Sequence, residues 1–451
     1  MKWTKTQAQA LEAAFAALDD VGIDWLVLRN HRGLPHANRS KDVDLGLDKK
    51  QFRIAEQTIS EALRGAGFDR ILVDDFQYVR CLTFFSTSMP DPQSLKIDLL
   101  DGFVFRGAQV FHFRQLFEDA QHDGGFAIPS ATDDAVMLWL KPLITGGIVK
   151  SKYLSDINRA ALNDPSGFRA ILERILTLDW AGRAWSKIEV GDIKATIAMQ
   201  AGLRKSVWQR AFRRAPFATL RDAMHHVISE LLRRSRRPTA TFLAVLGPDG
   251  SGKTTFITAL RERLATLQIK DLEGVEVTHF RPHLLPNINQ LLTGKAEVIS
   301  KFNDPHSAAP AGKVSSFLRI VYYSLDYILG YWLKIRRRSI RGRTMIFDRY
   351  FYDFIIDPQR SRLSLPLWVV KIFLFFIPKP DLIFVLDATS SVIYARKQEL
   401  QPEEIDRQLT AYRKLADDDP IRFLCLDSAQ SPEAMVDVAT QEVITRLYPE
   451  I

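Results

Sequence analysis

The segment "LAVLGPDGSGKTTF" (Leu243–Phe256) constrains the fold more than any other part of the chain, because its glycine-rich loop joins a strand pattern to a helical pattern. Within it, Gly247–Thr254 satisfies the pattern GxxxxGK[ST] completely. Such glycines let consecutive backbone N–H groups face phosphate oxygens, and the following helix directs its positive end at the same anion. The sequence therefore predicts a phosphate-binding loop in an α/β domain.

ATP and Mg²⁺ are the ligands that this loop predicts. We expect Lys253 to reach the phosphates being transferred and the Thr254 hydroxyl to bind Mg²⁺. A chance match in a glycine-containing turn is the alternative, and the flanking strand and helix patterns argue against it. The residues expected to surround the nucleotide are Gly247, Pro248, Asp249, Gly250, Ser251, Gly252, Lys253, Thr254 and Thr255.

A second group of polar residues follows the strand pattern Thr344–Phe347, which ends in Asp348-Arg349-Tyr350. Parallel α/β folds place their chemistry at the carboxyl ends of strands. We expect Asp348 to bind Mg²⁺ through water or to orient the acceptor, and Arg349 to bind an acceptor phosphate. The two stretches together predict a site for phosphoryl transfer.

From about Thr241 onward, the chain resembles the thymidylate kinase-like branch of the nucleoside monophosphate kinases. The resemblance rests on the phosphate loop, the Asp-Arg-Tyr strand end, the strand "PDLIFVLD" and a lid-like segment "QELQPEEIDRQL". It implies a three-layer P-loop NTPase fold with a parallel sheet. It also implies acceptor binding by Asp249, Arg281, Arg349 and Tyr350, and catalysis by Lys253, Asp348, Arg349, Arg396 and Lys397.

The chain departs from this family at two positions. The family's Arg-Glu-Pro is reduced to Arg281-Pro282, and Asp326 is followed by Tyr327 where the family has an arginine that reads thymine. A further charged set follows in "DRYFYDFIIDPQR", comprising Asp353, Asp357 and Arg360. These departures favour an acceptor other than thymidylate, although each member of that set alone is more typical of a surface ion pair.

Three aspartates form the chemical feature of the N-terminal third. Asp42 and Asp44 lie two apart in a strand pattern, so both side chains project from one face, and Asp98 lies in another apolar strand. Neighbouring carboxylates repel unless a cation joins them, so we predict a divalent metal site. The alternative is a set of ion pairs with Lys41, Arg39 or Lys96.

The stretch "WLVLRNHRGLP…RSKDVDLGL…KIDLLDG" resembles a nucleotidyltransferase-like family. This implies an α+β domain in which the aspartates hold two Mg²⁺ ions for attack on an α-phosphate. The family's Gly-Ser turn is absent, and Arg29-Asn30 with Gly33 occupy that region. Lys150, Lys152 and Tyr153 are further candidates to approach a nucleotide, with helix packing as the alternative.

A chain of 451 residues is too long for one ordinary core. We predict a nucleotidyltransferase-like domain over 1–132, a helical extension over 133–237 and a P-loop domain over 238–451, with the last boundary near Arg237-Pro238. Two cysteines and an N-terminus without a secretory pattern favour the cytoplasm.

The net charge of +8 comes from clustered basic residues, such as "LLRRSRRP" and "KIRRRSIRGR". Because no nucleic-acid-binding motif accompanies them, we predict no nucleic-acid partner. The apolar stretch "LPLWVVKIFLFFIP" is too short for a membrane span. We interpret it as a buried helix, with contact to a membrane surface as the alternative.

The sequence thus predicts an ATP-dependent phosphotransferase. Its acceptor would be a phosphorylated sugar, lipid or nucleotide, and coupling to nucleotidyl transfer would suit the synthesis of a bacterial surface-glycan precursor. One alternative is a nucleoside monophosphate kinase with a regulatory N-terminal domain. The other is an ATP-dependent switch or assembly protein without a small-molecule acceptor.

Overall fold

The computed structural model describes residues 3–38, 40–76, 78–87, 92–235, 240–267, 274–286 and 312–451. The chain forms two compact units. The first contains the described residues up to Ser235, apart from Pro92, together with Glu450 and Ile451, and the second runs from Ala240 to Pro449. The predicted boundary at Arg237-Pro238 and the candidate ion-pair partner Arg39 lie outside the described residues.

The first unit begins with strands and short helices and continues as a helical region. Its strands are β1 (Trp25–Arg29), β2 (Asp42–Leu47), β3 (Arg70–Phe76), β4 (Val79–Ser86), β5 (Gln93–Leu100), β6 (Phe103–Phe105), β7 (Ala108–Phe111), β8 (Gln121–Asp123) and β9 (Phe126–Ile128). Its helices are α1 (Lys5–Asp20), α2 (Phe52–Gly65), α3 (Phe113–Glu118), α4 (Ala131–Thr145), α5 (Ser151–Asn163), α6 (Pro165–Ile175), α7 (Leu178–Ile188), α8 (Gln200–Arg214) and α9 (Pro216–Ser235).

The main sheet of the first unit has the order β1-β2-β5-β4-β3. Strands β2 and β5 are parallel, and their register sets Asp44 directly opposite Asp98. The other neighbours in this sheet are antiparallel. A core that includes Trp139, Phe168 and Trp185 fills the helical region. The parallel pairing of β2 and β5 thus brings together Asp44 and Asp98, which lie far apart in sequence.

The second unit alternates strands with helices. Its strands are β10 (Phe242–Leu246), β11 (Val275–His279), β12 (Thr344–Asp348), β13 (Leu382–Asp387) and β14 (Phe423–Asp427). Its helices are α10 (Lys253–Thr266), α11 (Lys313–Gly330), α12 (Arg336–Ile340), α13 (Asp353–Ile356), α14 (Leu367–Phe376), α15 (Ser390–Arg396), α16 (Pro402–Asp418) and α17 (Pro432–Leu447). A π-helical turn, Tyr331–Ile335, joins α11 to α12.

The five strands of the second unit form one parallel sheet with the order β11-β12-β10-β13-β14. β10 is the central strand, so the loop that follows it lies between the ends of β12 and β13. All five residues of β10 are buried, as expected for a strand covered on both faces. The predicted α/β fold with a parallel sheet is confirmed for this unit.

The apolar stretch that we predicted to be a buried helix forms α14, and that prediction is wrong for one face. Val370 is buried, but Trp368, Phe375 and Phe376 are 65%, 82% and 60% exposed. Lys371 also lies on the exposed side of this helix, and it was the one sequence signal that this side faces away from the core. Among the described residues, we find no helix with both the length and the apolarity needed to cross a bilayer.

Candidate functional site

The phosphate loop turns sharply between β10 and α10. Gly247, Gly250 and Gly252 have φ values of 147°, 90° and 90°, which residues with a Cβ rarely adopt. A Cβ placed on Gly250 would also lie 3.0 Å from the Cβ of Lys397. Glycine at position 250 therefore allows the end of α15 to approach the loop, and brings its basic residues beside it.

A cavity of about 350 Å³ opens at this loop. It gathers most of the residues that the sequence predicted for the phosphoryl-transfer site. Its lining consists of Asp249, Gly250, Gly252, Lys253, Thr254, Thr255, His279, Asp348, Arg349, Arg360, Arg396 and Lys397. Six of these side chains are lysine, arginine or histidine, so the cavity suits a polyanionic ligand.

Lys253 lies at the buried end of this cavity. Its Nζ donates hydrogen bonds to the backbone oxygens of Gly247 at 2.9 Å and Pro248 at 2.7 Å, and lies 3.8 Å from a carboxylate oxygen of Asp249. Burial and the charge of nearby Arg349 lower the pKa of Lys253 to about 7. An anion in the cavity would favour the charged form of this lysine.

Asp348 ends β12 beside the phosphate loop. One of its oxygens contacts His279 Nδ1 at 3.2 Å, while its buried Oδ1 has no hydrogen-bond partner among the described residues. Burial opposes ionisation, but His279 and Lys253 hold the pKa of Asp348 below its usual value. An ionised carboxylate with such an oxygen, near the Thr254 hydroxyl in the same cavity, fits the hard oxygen ligands that Mg²⁺ prefers.

Arg349 connects the buried carboxylate of Asp353 to the partly exposed one of Asp249. It donates one hydrogen bond to Asp353 at 2.7 Å and another to Asp249, which Arg360 also contacts. Despite burial, the charges of Arg349, Lys253 and Arg360 hold the pKa of Asp249 well below its usual range. Arg349 also has a φ of 73°, a conformation uncommon outside glycine. The network holds Arg349, Asp249 and Arg360 together at the cavity, with Asp353 buried behind Arg349.

Two residues predicted to bind the acceptor lie elsewhere. Tyr350 is buried in the hydrophobic core, where its hydroxyl donates to the backbone oxygen of Pro378. Arg281 is also buried, contacts Asp326 at 3.2 Å and lies over the Tyr323 ring. Neither residue lines the cavity, so the predicted acceptor residues Tyr350 and Arg281 are not gathered with Asp249 and Arg349 there.

The acids of the first unit meet as the strand patterns predicted. One carboxylate oxygen from each of Asp42, Asp44 and Asp98 lies within 4.8 Å of the others. Arg29 binds Asp44 through two hydrogen bonds, at 2.5 and 3.0 Å. Lys96 lies 3.3 Å from Asp98 and 3.7 Å from Asp42, so the predicted ion-pair alternative is partly realised.

The metal alternative also keeps structural support. Asp98 is buried, and its Oδ1 has no hydrogen-bond partner in the described part of the chain. Burial raises the pKa of Asp98, and the carboxylates of Asp44 and Asp42 add to this effect against the opposing charge of Lys96. A divalent cation would relieve this repulsion and bind the Oδ1 atom. The donor set therefore fits a metal.

A cavity of about 230 Å³ adjoins Asp44 and Arg29. Lys150 and Tyr153 line it as the sequence suggested, whereas Lys152 does not. Lys141 of α4 is a lining residue that sequence reasoning missed. Burial lowers the pKa of Lys141. Lys141 is the one charged residue in the apolar stretch "LWLKPL", and this could have identified it from the sequence.

In the second unit, sequence reasoning missed His279 and gave too little weight to Arg360. Both line the cavity at the phosphate loop. His279 ends the strand next to β12 and lies opposite Asp348 in the register, which a correct sheet order would have revealed. Arg360 joins Arg349 through their shared partner Asp249. Because Asp249 and Arg360 are 111 residues apart in sequence, only the tertiary fold reveals this contact.

Comparison with known proteins bears on the second unit. No family model matches the chain. A thymidylate kinase of Enterococcus faecalis is 26% identical over 223 residues, which span 46% of this chain and 97% of that protein. A crystal structure of the thymidylate kinase from Ehrlichia chaffeensis aligns at 17% identity with a TM-score of 0.31, covering 45% of this chain and 98% of that one. Thymidylate kinase-like homology therefore covers slightly less than half of the chain and supports a relationship to nucleotide kinases there.

Proposed function

We propose that the second unit transfers the γ-phosphoryl group of ATP to a phosphorylated or hydroxylated acceptor. The observation that carries this proposal is the convergence of the phosphate loop, Asp348, Arg349 and the basic end of α15 on one cavity. Phosphoryl transfer needs positioning and charge neutralisation more than covalent chemistry from the protein. Residues of this kind around one cavity supply both.

Each side chain has a distinct part in this proposal. The loop amides and Lys253 would hold the phosphates of ATP, and Thr254 and Asp348 would hold Mg²⁺, which supplies charge neutralisation when bound. Arg396 and Lys397 would neutralise charge that develops on the transferring group. Lys253 would exchange its bonds to the backbone oxygens of the loop for phosphate oxygens.

Arg360 and Arg349 are the residues that we assign to the acceptor. Both line the cavity, and Asp249 holds both guanidinium groups. The two guanidinium groups outnumber the one carboxylate that they share, and this suits an acceptor that carries a phosphate or another anionic group. The thymine-reading arginine of the family is replaced by Tyr327, which is buried, and this argues against thymidylate as the acceptor. We favour a sugar- or lipid-linked acceptor of surface-glycan synthesis, because the kinase-like unit is joined to a second unit for which we propose nucleotidyl transfer.

The test is incubation of the full chain with γ-labelled ATP and panels of nucleoside monophosphates, sugar phosphates and lipid phosphates. We expect stoichiometric label transfer to one acceptor class with matching ADP formation. Transfer to a nucleoside monophosphate alone would favour the kinase with a regulatory domain. ATP hydrolysis without any labelled acceptor would contradict the proposal and favour the nucleotide-dependent switch.

A second activity is supported by the acidic cluster of the first unit. The Oδ1 atom of Asp98 and the adjacent cavity with Lys141 favour binding of a metal and a nucleotide phosphate there. We propose that Asp42, Asp44 and Asp98 hold Mg²⁺ for nucleotidyl transfer, which would follow the phosphorylation step on one glycan precursor. Arg29 and Lys141 would contact the phosphates.

Two measurements test this second activity. Titration with Mn²⁺, followed by calorimetry, should show binding that Asp98→Asn weakens while Asp75→Asn, an exposed acid of the same sheet, leaves it unchanged. α-Labelled ATP should transfer label to an acceptor, and Asp44→Ala should abolish that transfer. Absence of both metal binding and α-label transfer would leave the cluster with the ion-pair role alone.

A further inference from the structure

Two neighbouring helices of the second unit each expose a row of apolar residues. On α14 the exposed residues recur every three to four positions, as expected for one helix face, and include Trp368, Ile372, Phe375 and Phe376. On α11 and the following π-helical turn, a second row consists of Val314, Leu318, Leu325, Leu329 and Trp332. The two helices pack against each other, with the Phe317 and Phe373 rings 6.1 Å apart. We call this surface the α11/α14 face.

The two segments that form this face contain many basic residues and few acids of their own, although Arg338 and Arg343 contact Glu276 of β11. Residues 365–379 contain Lys371 and Lys379 and no acid, and both lysines are exposed. From Lys313 to Arg343 there are eight basic residues and one acid, Asp326, which is fully buried. The exposed charges on these two segments therefore favour an anionic partner.

Self-association fits this face poorly. In a two-fold symmetric dimer the same surface patch meets its own copy. Lys371 lies on the exposed side of α14 next to the apolar residues, and a second copy would offer it no exposed acid from these segments. Burying such a lysine without a partner is costly.

We propose that the α11/α14 face binds the surface of an anionic lipid bilayer. Helices that lie in the membrane interface combine an apolar face of large aromatic and aliphatic residues with lysine and arginine at its border. Trp332 and Trp368 are 55% and 65% exposed, and tryptophan is enriched at the depth of lipid headgroups. The lysines would reach lipid phosphates while their methylene stems remain in contact with the apolar face. Binding would be peripheral and would not depend on which acceptor the second unit phosphorylates.

The experiment is sedimentation of the full chain with vesicles of phosphatidylcholine alone or mixed with phosphatidylglycerol. We expect the chain to sediment with the mixed vesicles, less with neutral vesicles, and less again at high salt. Phe375→Ser/Phe376→Ser should lower the partition coefficient at least about tenfold. Ile421→Ser is the matched control, since Ile421 is 79% exposed but lies in a loop of the same unit, outside the face.

Charge is tested separately by Lys371→Glu/Lys379→Glu, with Lys414→Glu on α16 as the control. The Lys371→Glu/Lys379→Glu variant should lose the preference for anionic over neutral vesicles, and the Lys414→Glu variant should keep that preference. Circular dichroism checks that all variants are folded. Three results would overturn the proposal. The chain could fail to bind either vesicle, or the Phe375/Phe376 variant could bind as well as the wild type. Light scattering could also show a dimer that this variant converts to a monomer.

Discussion

Arg349 shows how a single residue organises the cavity of the second unit. Its side chain is almost fully buried and contacts Asp249 and Asp353, both themselves largely buried. Buried carboxylates without a partner are costly, so the loss of one guanidinium affects two acids. Arg360 contacts only Asp249 among the acids of this network and is 23% exposed. Arg349 therefore holds the network together, whereas Arg360 is the more accessible of the two arginines.

Substitution of these arginines should separate stability from acceptor binding. Arg349→Met should lower the free energy of unfolding by about 3 kcal/mol or more, because it leaves the buried carboxylate of Asp353 without its cationic partner. Arg360→Met should cost less than about 1 kcal/mol, since Asp249 retains Arg349, and should mainly raise the KM for the acceptor. Calorimetric unfolding and steady-state kinetics measure the two effects. Equal losses of stability would contradict this division.

The sequence predicted the positions of site residues that belong to a local motif. It did not predict the contacts of residues whose side-chain orientation depends on tertiary structure. The phosphate loop and the pair Asp42 and Asp44 are set by local spacing. The family resemblance implied that Tyr350 binds the acceptor, but Tyr350 packs in the core, directly after Arg349 with its positive φ. Arg281 meets Asp326, a partner 45 residues away that no local pattern indicates.

At the scale of elements, the helical region of the first unit depends on a close contact between α7 and α8. A Cβ on Gly202 of α8 would lie 1.8 Å from the Trp180 ring of α7, whereas one on Gly182 of α7 would meet no atom within 4 Å. The indole therefore lies directly over the backbone of α8. Two helical glycines in neighbouring elements thus have opposite expected responses to the same substitution.

Gly202→Ala should destabilise the protein by about 1–3 kcal/mol, because Trp180 or one of the helices must move. Gly182→Ala should be neutral or stabilise it by up to about 1 kcal/mol through helix propensity. Thermal unfolding of both variants beside the wild type provides the comparison. A stabilised Gly202→Ala protein would show that the α7–α8 contact is less tight than described.

Helix α4 carries a titrating group that should make stability depend on pH. Burial and the charge of Asp156 raise the pKa of Asp134 to about 7, and its Oδ1 has no hydrogen-bond partner among the described residues. A carboxyl with a raised pKa in the folded state retains its proton there longer than in the unfolded state. Its contribution to stability is therefore lost as pH rises from about 4 to 7.

Asp134→Asn should remove this contribution to the pH dependence. The variant should be more stable than the wild type at pH 8, by on the order of 2 kcal/mol, and nearly equal to it at about pH 4. Denaturant unfolding at several pH values measures the difference. A wild type that gains stability relative to the variant between about pH 5 and pH 8 would reverse the expected sign.

Helix α14 marks the limit of prediction for elements. Its existence followed from the apolar pattern, but the exposed side of a helix with a single charged residue, Lys371, depends on where Val370 and its neighbours meet the core. The five-stranded order of the second unit likewise requires contacts between strands far apart in sequence. Sequence periodicity gives the type of element, whereas burial is decided by packing.

At the scale of the whole molecule, each of the two units has its own hydrophobic core and its own cluster of charged groups. The first unit gathers three carboxylates, and the second gathers a phosphate loop and a basic cavity. The central claim is that the second unit uses its cavity to transfer a phosphoryl group from ATP. Lys253 is the residue on which that claim depends most.

The most direct test is single-turnover transfer of γ-label from ATP to the acceptor class found active in the panel. Wild type and Lys253→Ala would be compared, with Lys414→Ala as a control for the loss of a surface lysine. We expect Lys253→Ala to slow transfer about 100-fold or more, and the control to match the wild type. Transfer by Lys253→Ala at the wild-type rate would contradict the assignment of the cavity as the site of phosphoryl transfer.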